Sequence, residues 1–430
     1  MNTWGCVGIG AAFLAAYVLV NVAQAGIRPD DPATLEKTRS LGQLIATATK
    51  PIHIVYVHGM NADGPGASDT FREGLCKHVA RLCPTGFLPH QTTQPLPLGS
   101  RPDATFLDEP IWRDDHEWQA STPFVYRYVY TRNGAPPVVV DEVNWWPLLF
   151  PPKCRFIVLP EINLSGVDKA HLELCARTDA PFYPWISRDQ LTEALAHKPI
   201  SGGGAWANSL VKQNIMNWGV ADAALALGPM RTYFRQAINQ AFKYAAAFDG
   251  ADVAGQDFVV ISESLGSFVV LDAFGNVSAD SPEAQSVGER TADLYFFANQ
   301  YALLELGRIH GVPESWTTAT GSFTQPLLEA APAPGAASAL PHLLRRWAAS
   351  RPQGPLELVG RPKQVIAFSD PSDLLTYVVP KLRDSDGRDL ALVVNVYDRN
   401  EWSFLRLFAN PLKAHTKHAG NKDVLKLMFR

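Results

Sequence analysis

Apolar residues along the chain fall into two rhythms. Short runs of β-branched and aromatic residues recur at Ile52–Val57, Phe258–Ile261, Leu294–Ala298, Gln364–Phe368 and Ala391–Tyr397. Continuous apolar runs of this length, bounded by turn residues, predict strands buried on both faces. Phe124–Tyr130 alternates instead, and Val138–Trp146 reads as a further strand. Asn133-Gly134 predicts a turn joining these two, in a loop longer than two residues. Helical spacing of apolar positions marks Ala33–Thr47, Phe71–Leu82, Ala205–Leu227, Met230–Phe248, Tyr301–Ile309, Leu340–Ala349 and Val424–Met428. Gly228-Pro229 separates two of these as a helix stop followed by a compatible start. Strands alternating with helices predict an α/β fold with a mainly parallel, doubly wound sheet.

Two stretches interrupt the alternation. Residues 84–122 are Pro-rich and predicted irregular, and they include Asp114-Asp115-His116-Glu117. With no second ligand cluster in view, that run reads as a solvated acidic loop and not as a metal site. Residues 147–250 form a Pro-rich then mostly helical region broken by Gly202-Gly203-Gly204, placed just before the strand at Phe258. It is read as a helical cap or lid inserted between a first core segment, 26–146, and a second, 251–430. Within it Trp206, Ile215, Met216, Trp218 and Leu225 have two readings: the lining of an acyl pocket, or the cap's own core. Residues 331–338 (Ala-Pro-Ala-Pro-Gly-Ala-Ala-Ser) are low in complexity and read as a surface linker.

The run Phe258–Ile261 turns through Ser262-Glu263-Ser264 directly into a segment of helical spacing, Leu265–Phe274. A strand that turns sharply into a helix with serine at the apex has the layout of a nucleophile elbow. The small neighbours two before and two after the apex are Ser262 and Gly266, so a serine stands where glycine is usual. The strand Ile52–Val57 in turn runs into His58-Gly59-Met60-Asn61 and a Gly-rich loop, Asp63-Gly64-Pro65-Gly66. Taken together, the elbow and the strand ending in His-Gly resemble the α/β-hydrolase superfamily. That resemblance implies an oxyanion site made by the backbone N–H groups of Met60 and Leu265. His58 is read as structural.

A serine hydroxyl is a weak nucleophile at neutral pH and requires a base, which itself requires an orienting group. In the order of that superfamily the acid and then the histidine follow the nucleophile, each in a loop after a strand. Gln364–Phe368 is followed by Ser369-Asp370-Pro371-Ser372-Asp373, and the strand Ala391–Tyr397 leads on to Ala414-His415-Thr416-Lys417-His418. Asp373, before the apolar pair Leu374-Leu375, is the preferred acid, with Asp370 as alternate and otherwise a turn cap. His415 is the preferred base, with His418 as alternate. Glu263 and Lys417 add charges beside the site. The resemblance implies a lipase- or esterase-like serine hydrolase of small-molecule or lipid esters, working without metal or organic cofactor. An acyltransferase using the same residues, or an inactive binding or scaffold protein on the same sheet, are the alternatives.

Composition changes this picture little. The 430 residues are 47% hydrophobic and 19% charged with a formal net charge of −4. No basic stripe appears, which argues against nucleic acid as a partner. The N-terminus adds more. Cys6–Val22 is apolar and ends in Ala23-Gln24-Ala25, and the first charged side chain is Arg28. This reads as a signal peptide cleaved before Gly26, giving a periplasmic or secreted protein. The rival is an uncleaved anchor over residues 6–25, associating the protein with a membrane. Five cysteines are present. Apart from Cys6 they fall as two local pairs, Cys76/Cys83 and Cys154/Cys175, which in an exported chain suggests two disulfides, against the alternative of four free core thiols.

Overall fold

Nine strands among the described residues make one mixed sheet, set out here in chain order. They are β1 (Arg28–Pro29), β2 (Ile52–Val57), β3 (His90–Pro95), β4 (Phe124–Arg132), β5 (Ala135–Asn144), β6 (Asp257–Glu263), β7 (Thr291–Phe297), β8 (Gln364–Ser369) and β9 (Leu392–Tyr397). The spatial order is β1-β9-β8-β7-β6-β2-β5-β4-β3. The run from β9 to β5 is parallel, while β1, β4 and β3 pair antiparallel to their neighbours. The computed structural model describes residues 27–60, 64–79, 82–83, 89–106, 108–160, 169–196, 216, 219–228, 230–248, 257–275, 282–306, 339–349, 363–400 and 411–430. The apolar leader, the linker 331–338, and Trp206, Ile215 and Trp218 lie outside these residues. Among the described residues no helix is long and apolar enough to cross a membrane.

The alternation of side chains across each strand divides the core in two. Val55, Val57, Val260, Phe296, Ala367 and Val393 face one layer of helices. That layer contains α2 (Arg231–Ala246), α3 (Leu265–Gly275), α4 (Pro282–Arg290) and α5 (Ala339–Ala349). Ile54, Tyr56, Val259, Ile261, Tyr295, Phe297 and Phe368 face the other, with α1 (Asp69–His78) and α7 (Lys422–Met428). The protein is therefore α/β, with helices on both faces of a mostly parallel sheet. Helix α3 is buried on every side from Leu265 to Phe274, as expected of a helix apolar all round. Within the expected insertion, α2 packs Phe234, Ile238 and Phe242 into the main core. A third, smaller cluster gathers Trp146, Phe150, Leu172 and Trp185 around Cys154 and Cys175. The sulfurs of Cys154 and Cys175 lie 1.93 Å apart and those of Cys76 and Cys83 1.99 Å apart, so both pairs are bonded. Of the pocket candidates, Met216 is exposed and Leu225 packs partly buried on the main core.

Several elements differ from the sequence reading, each for a local reason. His90–Pro95 is an edge strand within the stretch expected to be irregular. Its six side chains are all exposed, so no apolar alternation announces it. The β4–β5 hairpin is tighter than expected: Arg132 pairs with Ala135, and Asn133-Gly134 alone make the turn, with Gly134 at φ +69°. Pro136 and Pro137 are accommodated because the register shifts between Tyr130 and Arg132, and β2 pairs with β5 only from Val138 onward. Ala33–Thr47 is two helices, Pro32–Lys37 and Leu41–Ala46. Ser40 starts the second with a capping box to Gln43. The acidic run near 114 is not a solvated loop. Asp114 caps the helix Asp115–Ala120, and Glu117 is buried against Arg113 and Arg155.

Candidate functional site

The topology selects one place on the sheet. From β2 the chain crosses to the sheet edge at β3 and comes back inward through β4 to β5 beside β2. It then passes to β6 on the other flank of β2 and continues outward to β7, β8 and β9. The direction of winding reverses between β2 and β6, and in open α/β sheets ligands bind at such a switch point, beyond the carboxyl ends of the strands. His58-Gly59 follows β2 there, and Ser264 follows β6.

Ser264 stands at φ +51°, in the left-handed region that a residue with a Cβ enters at a cost of about 1–2 kcal/mol. Three contacts hold the turn. The Ser264 N–H donates to the Phe297 carbonyl at 2.8 Å, and the Ser267 N–H and hydroxyl both donate to the Ser264 carbonyl, at 3.1 and 2.7 Å. Gly266 lets α3 approach β2: a Cβ there would lie 2.6 Å from the carbonyl oxygens of both Val57 and His58. Gly59 lies directly against the serine, and its Cβ would fall 2.5 Å from the Ser264 Cβ and 3.2 Å from Oγ. Met60 is thus carried to the edge of Ser264 by its bare neighbour. Leu265 opens α3, where a backbone N–H has no partner within the helix.

The loops after β8 and β9 bring in two further side chains. His415, on α6 (Pro411–Thr416), places Nε2 2.7 Å from Ser264 Oγ. Its Nδ1 lies 2.7 Å from Asp373 Oδ2. The Asp373 carboxylate also accepts the Leu375 N–H at 2.9 Å and the Thr376 hydroxyl. Burial alone would raise the Asp373 pKa. The hydrogen bonds from His415, Thr376 and Leu375 outweigh it and hold the carboxyl below its ordinary value, so it is ionised beside the imidazole. Thr376 was not singled out from sequence, although a hydroxyl three residues after an acid is a common partner for it.

The alternates occupy other positions. Asp370 accepts the Ser372 N–H at 2.7 Å and the Asn400 N–H at 2.6 Å, tying the loop after β8 to the one after β9. His418 is buried and pairs through Nδ1 with Asp398 at 3.0 Å, its ring parallel to Phe297. Of the five residues considered, Ser264, His415 and Asp373 form one connected line, and Asp370 and His418 lie off it. Such a line can deprotonate the serine hydroxyl and hold the imidazolium that results.

Two residues behind the site matter for its shape. Glu142, fully buried at the end of β5, accepts the backbone N–H groups of Gly66 and Ser68 at 2.9 Å each, the Ser68 hydroxyl at 2.5 Å and the Asn144 amide at 3.1 Å. It anchors the far end of the loop that begins at Gly59. The signal was present in the sequence, since Asp141-Glu142 interrupt an otherwise apolar strand. His58 stacks on Trp145 with ring centroids 4.6 Å apart and is bonded through Nδ1 to the Gly59 carbonyl at 2.8 Å. Burial lowers its pKa to about 4, against smaller opposing effects of Gly59 and Glu142. Because the folded value is depressed, its contribution to stability is complete above the unfolded value of about 6.5 and is lost as pH falls towards 4. The loss is on the order of 3 kcal/mol at one shifted unit per 1.36 kcal/mol. Urea denaturation at neutral pH and near pH 4.5 is expected to show a smaller acid loss in His58→Gln than in the parent. Equal acid losses in the two proteins would rule out His58 as the buried neutral group.

Comparison of the chain with models of known protein families matches none of them, and a search of curated proteins finds no significant relative.

Proposed function

We propose that the protein is a serine hydrolase of carboxylic esters, with a sheet of the α/β-hydrolase type. The observation that carries this reading is the line of two 2.7 Å contacts from Ser264 Oγ through His415 to Asp373, at a strained strand-to-helix turn. A structural serine does not require an ionised acid behind a histidine. In the reaction, Ser264 Oγ attacks the acyl carbonyl carbon while His415 Nε2 takes its proton. Asp373 holds the Nδ1–H and the resulting positive charge. The tetrahedral oxyanion is bound by the N–H groups of Met60 and Leu265, each worth about 3 kcal/mol if typical of such donors. As the intermediate collapses, the C–O bond to the alcohol breaks and His415 returns the proton to the leaving oxygen. Water activated by the same histidine then cleaves the acyl-enzyme and regenerates Ser264. Another alcohol can replace water at that last step, so acyl transfer is the same chemistry with a different acceptor.

The acid loop runs on into Leu374, Tyr377 and Val378, all exposed. This apolar rim favours esters with a hydrocarbon portion. The two bonded cysteine pairs favour an oxidising compartment and hence export. Labelling of the folded protein with a fluorophosphonate probe tests the proposal, because only an activated serine reacts. An adduct on Ser264, identified by peptide mass spectrometry and absent after acid unfolding, is the expected result. A folded protein without adduct would favour the scaffold reading.

A further inference from the structure

The end of β7 lies between the two turns that carry Ser264 and Asp373 and is bonded to both. Ala298 follows the strand at φ +52°, a second buried residue with a Cβ in the left-handed region. Such strain persists where the surrounding contacts impose it, and it concentrates at functional sites. On the nucleophile side, the Phe297 carbonyl accepts the Ser264 N–H at 2.8 Å. The Gln300 N–H donates at 3.3 Å to the Ser267 hydroxyl, which is itself bonded to the Ser264 carbonyl. On the acid side, the Ala298 N–H donates to the Phe368 carbonyl of β8 at 3.1 Å. Asn299, fully buried, then exchanges two bonds with Tyr377. Its carbonyl accepts the Tyr377 N–H at 2.9 Å, and its Nδ2 donates to the Tyr377 carbonyl at 3.0 Å.

We propose that Asn299 is a positioning residue, which sets the Asp373 carboxylate against His415 from the end of the neighbouring strand. Tyr377 directly follows Thr376, whose hydroxyl donates to Asp373 Oδ2, and the Leu375 N–H donates to Oδ1 at 2.9 Å. Holding the Tyr377 main chain therefore holds both donors that orient the acid. The other end of the amide is also occupied: Asn299 Oδ1 accepts the Tyr301 N–H at 3.1 Å, at the start of the helix Tyr301–Glu305. The position thus requires a donor on one side and an acceptor on the other, which an amide supplies and a carboxylate does not. Through these bonds one buried side chain ties the acid loop to the strand end that also grips the serine turn. A triad depends on such a tie, because its members come from separate loops and must meet within tenths of an ångström.

This role rests on the hydrolase reading, and its test separates the two. Asn299→Ala is expected to lower kcat for a nitrophenyl ester at least about tenfold, towards the roughly hundredfold that a displacement near 1 Å can cost, with KM little changed. The low-field proton resonance of the His415 Nδ1–H, assigned by its absence in His415→Ala, is expected to shift or broaden in the same variant. Asn299→Asp keeps the acceptor for Tyr301 but sets an oxygen against the Tyr377 carbonyl, and it should show both changes where Asn299→Ala does not fold. Thr291→Val is the control at the other end of β7, removing a buried hydroxyl bonded to the Val287 carbonyl at 2.8 Å. It should lose stability in urea with kcat and the resonance unchanged. Folded Asn299 variants with parental kcat and resonance would overturn the proposal. So would a loss of kcat without a change in the resonance, or one matched by Thr291→Val. A parent with neither turnover nor a Ser264 adduct would instead sink the hydrolase reading, and the resonance alone would then decide the role of Asn299.

Discussion

Ser264→Ala is expected to lower ester turnover by up to about a millionfold, the scale seen where a nucleophile, its base and its acid act as a unit. The argument rests on what the hydroxyl touches. Its oxygen meets His415 Nε2 at 2.7 Å, while the turn around it is held by backbone groups of Ser264, Phe297 and Ser267 that alanine retains. Alanine also differs little from serine in its tolerance of φ +51°, so the loss should appear in chemistry and not in folding. Steady-state hydrolysis of a nitrophenyl ester by parent and variant, with thermal melts of both, measures the two separately. Turnover within tenfold of the parent by a folded variant would remove Ser264 from the mechanism.

The second large effect separates the two acids that share one loop. Asp373→Asn is expected to reduce kcat by about ten-thousandfold, because the amide favours the wrong imidazole tautomer and supplies no charge for the imidazolium. Asp370→Asn keeps an oxygen for only one of the Ser372 and Asn400 N–H groups, which the two Asp370 oxygens accept separately, and neither contact is to His415. Its turnover should stay within about tenfold of the parent, with the change read chiefly as lost stability in urea. A larger kinetic loss in Asp370→Asn would exchange their assignments. Histidine exchange gives the parallel result: His415→Ala loses the contact to Ser264 Oγ, whereas His418→Ala empties a buried pocket beside Phe297 and Asp398.

What could be read from the sequence follows from how each element is stabilised. Strands β2, β6, β7, β8 and β9 are buried on both faces, so burial writes itself into their composition. The loops after β2, β6 and β8 were then located by where the apolar runs stop. Together with the loop after β9 and the resemblance to the α/β-hydrolase order, these ends bring forward Ser264, Asp373 and His415, with Asp370 and His418 as alternates. Elements that rely on backbone pairing alone left no such mark. β1 is two residues held to β9, and β3 is a wholly polar edge. Glu117 and Lys153 were harder still, since a charged side chain is read as exposed until its partner is known. Lys153 is buried because Asp222, far along the chain, lies 2.6 Å from it. The Glu142 anchor is half legible: Asp141-Glu142 interrupt an apolar strand, but two of its partners, the Gly66 and Ser68 N–H groups, carry no residue identity.

The strand order has a consequence for how the molecule assembles in time. β1 can pair only with β9, with Arg28 opposite Tyr397, so the earliest sheet segment described waits for the last. Ser264 and His415 are likewise separated by 151 positions. Contacts so distant in sequence close large loops and are slow to form. During refolding, reactivity at Ser264 should therefore return after most of the helical signal has recovered, which makes it a clock for the final step of folding.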